Sequence, residues 1–102
     1  MAGGAAGHAA GEAIDPTLEE RYWRENYNRR PYYRPGTEFD DYEPAYRYGW
    51  ESATLPNNRN RGFEACEPDL EKGWATRSGA TQGWYEVREA TRDAFDRACA
   101  RR

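Results

Sequence analysis

The sequence predicts an all-α fold: a small four-helix domain built around aromatic side chains, with a disordered N-terminal tail. Three observations carry this. Apolar residues recur at helical spacing in two copies of an internal repeat. A second amphipathic stripe runs through the last twenty residues. And the 102 residues hold 15 % aromatic side chains but only five aliphatic ones larger than alanine: Ile14, Leu18, Leu55, Leu70 and Val87. A chain this short forms one domain at most. If it folds, rings must supply most of the buried area, because each contributes roughly 150–250 Å².

Residues 1–13 are Ala/Gly-rich and almost uncharged, and read as a flexible tail. They lack the basic start and leucine-type stretch of a secretory signal. Ala2 stands where myristoylation requires glycine. His8, the only histidine, lies in this tail. The helical domain is expected over 14–102.

The first helix is expected to begin at Asp15-Pro16-Thr17, with Thr17 and Glu20 as a capping box, and to end near Arg29 because Pro31 follows. Leu18 with Tyr22, and Trp23 with Tyr27, form two i,i+4 apolar pairs. Pro31-Tyr32-Tyr33-Arg34-Pro35-Gly36 reads as extended and turn-like.

The repeat aligns residues 39–50 with 63–74 without gaps, at a period of 24. Phe, an acid, Glu-Pro and Gly-Trp recur at the same offsets. Apolar positions 39, 42, 46, 50 and 63, 66, 70, 74 fall on one helix face. Pro44 and Pro68 are expected in first turns, where a missing N–H costs little. Gly49 and Gly73 have two readings: a close helix crossing covered by Trp50 and Trp74, or loosened last turns. Residues 55–62 read as a loop. The last helix is expected over about 82–100, with Trp84, Val87, Thr91, Ala94, Phe95 and Ala98 facing inward.

Eight tyrosines among 14 arginines and 18 carboxylates predict a polar-rimmed core, with hydroxyls hydrogen-bonded and guanidinium groups stacked on rings. No apolar run approaches the ~20 residues of a membrane span, so no membrane association is expected. Two cysteines exclude a disulfide-dense miniprotein. Cys66 and Cys99 read as buried structural thiols.

The chemistry of sites is sparse. A lone histidine in a tail leaves no base for a Ser or Cys nucleophile. No spacing suits zinc or calcium, so no metal and no cofactor is expected. Glu43 and Glu67 are equivalent by the repeat; such carboxylates more often answer arginines than do acid/base work. No catalytic residue is assigned and the chain is read as not an enzyme. The candidate binding residues are Arg21, Arg24, Arg29, Arg30, Tyr32, Tyr33 and Arg34. They lie in a segment with five arginines against Glu25. Rings interleaved with guanidinium groups suit single-stranded nucleic acid, but a net charge of −3 and a pI near 5.2 oppose it. The same arginines can instead meet Glu38, Asp40, Asp41 and Glu43, within the chain or in a second copy.

Tyr22-Trp23-Arg24-Glu25-Asn26-Tyr27, Arg30-Pro31-Tyr32-Tyr33 and the stretch from Asp40 to Trp50 resemble a family of small, mostly hypothetical bacterial proteins. The likeness extends through Glu67-Pro68-Asp69-Leu70-Glu71-Lys72-Gly73-Trp74 to a final helix, about residues 15–98 in all. It implies a bacterial, cytoplasmic, loosely stress-associated protein and adds no catalytic site. The reading is a protein-interaction or stress-associated module that contacts a protein partner or itself. The rival is a binder of nucleic acid or an anionic ligand through 21–34.

Overall fold

The computed structural model describes residues 14–58, 61–77 and 82–101, with the Arg101 side chain left aside. The Ala/Gly segment with His8, and most of the turn expected at 77–80, lie outside the described residues. Among these residues four α-helices follow in order: α1 (Pro16–Asn26), α2 (Phe39–Ala53), α3 (Phe63–Ala75) and α4 (Trp84–Arg101), with a 3-10 turn at Tyr27–Arg29. The described residues contain no strand.

Asp15, not Thr17, caps α1. Its carboxylate accepts from the N–H groups of Thr17 (3.0 Å) and Leu18 (3.4 Å), while Pro16 takes the first helical position. Thr17 is thereby already inside the helix, and Glu20 turns to Arg24 at 2.9 Å. The α-helix also ends earlier than the proline alone suggests. Residues 27–29 tighten into the 3-10 turn before Pro31.

Both repeat copies are helices, and every apolar position of the stripe is buried: Phe39, Tyr42, Tyr46 and Trp50 in α2, Phe63, Cys66, Leu70 and Trp74 in α3. Pro44 and Pro68 depart from expectation. Each is the sixth residue of its helix, in the second turn. A proline there removes one helical bond, but the carbonyls it frees belong to Asp40 and Glu64, which are exposed and open to solvent.

The main packing is α2 against α4, and Gly49 permits it. A Cβ there would overlap the Thr91 carbonyl oxygen and stand 2.8 Å from Ala94 Cβ and 3.1 Å from Phe95 N. Ala90, Ala94 and Ala98 make α4 smooth enough to be approached. Gly73 serves a different purpose. The Tyr48 hydroxyl sits against it and donates to the Leu70 carbonyl at 2.7 Å, tying α2 to α3.

Among the described residues sixteen apolar side chains are buried, and eight are aromatic. Trp23 stacks on Tyr46 (4.5 Å, 8°) and holds α1 on α2. Phe63 meets Phe95 edge-on (5.8 Å) and holds α3 on α4. Of the larger aliphatics only Leu70 and Val87 are buried; Leu18 and Leu55 are exposed. The expected Leu18–Tyr22 stripe therefore does not face the core. Glu19 does instead, 1 % exposed, bonded to Arg97 Nε at 3.1 Å. No helix among the described residues is long and apolar enough to cross a membrane.

Candidate functional site

The segment 21–34 divides into residues the fold consumes and residues it leaves outside. Arg30 donates to Asp93 of α4 through Nε (2.7 Å) and Nη2 (3.2 Å). Tyr32 donates to the same carboxylate at 2.6 Å, and its oxygen lies 2.8 Å from that of Tyr46. Burial, first, and the bond to Asp93 push the Tyr32 phenol well above its ordinary value; burial does the same to Tyr46. Tyr33 packs edge-on to Tyr27 and beside Tyr42. Arg34-Pro35-Gly36-Thr37 forms a turn closed by Thr37 N–H to the Arg34 carbonyl (3.2 Å), with Gly36 at φ +92° as a type II turn requires. Arg24 pairs with Glu20 and lies 4.6 Å over the Phe39 ring.

Arg30, Tyr32, Tyr33 and Arg24 are thus part of the scaffold. Their acids are Asp93 and Glu20, not the expected Glu38, Asp40, Asp41 and Glu43. Those four begin α2, where acids offset the helix dipole. There Asp41 accepts from the Glu38 N–H at 2.8 Å, and Glu43 is taken by Arg47. Arg21, Arg29 and Arg34 are exposed, and their guanidinium groups have no carboxylate partner among the described residues.

A second site, not anticipated from the sequence, opens where α4 begins beside α3. It is a groove of about 720 Å³ walled by Trp84 and Tyr85 and edged by Glu67, Glu71, Glu89 and Arg88. Tyr85 is 96 % exposed. Trp84 is half-buried; its indole is stacked on Phe63 (6.3 Å) and donates to Glu67 at 3.0 Å. Arg88 holds Glu67 by two bonds, one through Nη2 at 2.9 Å, and also reaches Glu89 at 2.7 Å. Arg88, ahead of Trp84, keeps the Glu67 carboxyl below the ordinary range despite its partial burial. Glu71 is exposed and forms no ion pair among the described residues. Three carboxylates against one guanidinium leave the groove anionic, and an aromatic face lies open next to them. That combination accepts a guanidinium or ammonium group.

Glu43 and Glu67, equivalent in the repeat, each answer a different arginine. Cys66 is a buried free thiol, and Cys99 is partly buried. Among the described residues no group of acids, cysteines or histidines could hold a metal. One signal for the groove was in the sequence: Tyr85 lies one residue off the stripe of Trp84, Val87 and Thr91, on the helix flank. What it flanks depends on α3, which the sequence does not place.

No family model, curated protein or solved structure matches the chain.

Proposed function

We propose that this chain is a non-catalytic protein-interaction module that holds a cationic segment of a protein partner in the groove beside Tyr85. The observation that carries the reading is the almost complete exposure of Tyr85 next to a net-anionic groove. A chain short of apolar side chains has placed eight rings in its core, yet leaves this one in water. What makes this ring a partner site is its setting, an open aromatic face beside carboxylates that outnumber Arg88, which suits a cationic group. The carboxylates best suited to acid/base chemistry, Glu43 and Glu67, are held by arginines, which favours binding over catalysis. A bacterial, cytoplasmic and stress-associated setting is part of the same proposal; it rests on the sequence resemblance, and the free thiol of Cys66 suits a reducing compartment.

The test is titration with a tetra-arginine peptide, with a tetra-glutamate peptide as control, followed by NMR. The arginine peptide is expected to shift the ring signals of Trp84 and Tyr85, with affinity falling as salt rises. Tyr85→Ser should weaken it. Equal shifts from the glutamate peptide, or none from either, would reject the groove.

A further inference from the structure

We infer that the partner of this groove is a second copy of the chain, entering with Arg21, Arg29 or Arg34 and so associating head to tail. The inference rests on the groove reading above and adds the identity of the occupant.

The chain carries both halves of a complementary pair. The groove presents Tyr85, with Glu67, Glu71 and Glu89 outnumbering Arg88. The segment 21–34 presents three exposed guanidinium groups with no carboxylate among the described residues. Of the nearby acids, Glu20 is engaged with Arg24, Glu43 with Arg47 and Asp93 with Arg30, while the exposed Glu25, Glu38 and Asp40 form no ion pair with these arginines among the described residues. Guanidinium is the right cation for such a groove, because its plane stacks on a ring while its edge meets a carboxylate. The fold itself uses this pairing: Arg97 lies 3.6 Å over the Tyr22 ring and bonds Glu19.

Within one copy none of these arginines pairs with Glu67, Glu71 or Glu89 among the described residues. α1 is pinned to α4 at Arg97, twelve residues beyond Tyr85 and so about 18 Å along the helix axis. Arg30 is pinned at Asp93, about 12 Å beyond it. Arg21, on the helix pinned at Arg97, and Arg29, next to Arg30, are therefore held away from their own groove and offered outward. Two different patches meet in such a contact, so it is heterologous, and copies add in a row unless the rotation closes a ring. Exposed charges give it a strong salt dependence.

The experiment is sedimentation of the full chain over a wide concentration range at low and high salt, with two variants. One is Glu71→Gln with Glu89→Gln, which removes the groove's excess negative charge; the other is Arg21→Gln with Arg29→Gln and Arg34→Gln. Wild type should at least double its mass from 11.8 kDa at high concentration and low salt. Each variant by itself should stay monomeric, and the two mixed should form a one-to-one dimer, since each keeps one intact surface. Tyr85→Ser, which disturbs no buried contact, should also weaken association. A wild type that stays monomeric while still binding tetra-arginine overturns the self-association and keeps the groove. A monomer that binds no arginine peptide overturns both. Binding of single-stranded oligonucleotide at physiological salt, lost in the arginine variant while wild type stays monomeric, would assign these arginines to a polyanion and overturn the inference.

Discussion

Gly49 of α2 backs directly onto the Thr91 carbonyl of α4, with Ala94 Cβ 2.8 Å from where a side chain would begin. The two longest helices meet at this point, and the rings of Tyr46, Trp50 and Phe95 close around the crossing as fully buried groups.

Gly49→Ala is expected to destabilise by about 1–3 kcal/mol or more, the range for overpacked cores. The gain in helix propensity, ~1 kcal/mol, works in the opposite direction and is outweighed because the obstacle is backbone. Gly73→Ala meets only the Tyr48 hydroxyl, which can move at the loss of its bond to Leu70, a cost of about 1 kcal/mol. Urea denaturation of both should rank Gly49→Ala as the worse, and the opposite ranking would be inconsistent with this crossing.

Asp93 collects Arg30 and Tyr32 from a turn some sixty residues earlier. Removing the carboxylate strands two donors, and Asp93→Ala should cost about 2–3 kcal/mol, in line with hydrogen bonds to charged groups. Tyr32→Phe should cost about 1 kcal/mol. In the double variant the two costs should not add, since both changes delete one shared bond. Full additivity would show that the turn is held by ring packing alone.

Trp74→Ala should cost about 3–5 kcal/mol, as large aromatic truncations in cores do. Trp74 is 2 % exposed and its indole N–H donates to the Gln82 carbonyl at 2.6 Å. Tyr85→Ser should stay within about 0.5 kcal/mol of wild type, as for a surface position. Thermal unfolding of the pair separates the core ring from the exposed one.

Stability should fall at both ends of the pH scale for separate reasons. Glu67 has its carboxyl pKa lowered, chiefly by Arg88. Its contribution is present above the unfolded value near 4.3 and is lost as pH falls through the folded value. Glu67→Gln should therefore flatten the acid limb of thermal midpoint against pH. Tyr32 and Tyr46 have phenol pKa values raised, chiefly by burial. Their contribution is present below about 10 and declines as pH climbs past it. Tyr32→Phe should shrink that alkaline loss, and an unchanged alkaline limb would argue that the hydroxyl is not buried.

Much of the fold was legible in the residues themselves. Helical spacing at 39, 42, 46, 50 and 63, 66, 70, 74 identified eight inward positions, and all eight are buried. The scarcity of aliphatics implied a core of rings, which is what packs between the helices. Both follow from local periodicity and composition, which need no knowledge of partners. The three-dimensional arrangement decided what such periodicity leaves open. Two glycines at equivalent repeat positions became a helix crossing at Gly49 and a hydroxyl seat at Gly73, because only α4 lies behind the first. Glu19 went inward and Leu18 outward because Arg97 stands opposite one and water opposite the other. Within a single basic, ring-rich segment, Arg30 and Tyr32 were drawn into the scaffold by Asp93, while Arg21, Arg29 and Arg34 were left in solvent. A charged or polar side chain is bound or free according to what lies across from it. Across from these residues stands α4, some sixty to eighty positions further along the chain.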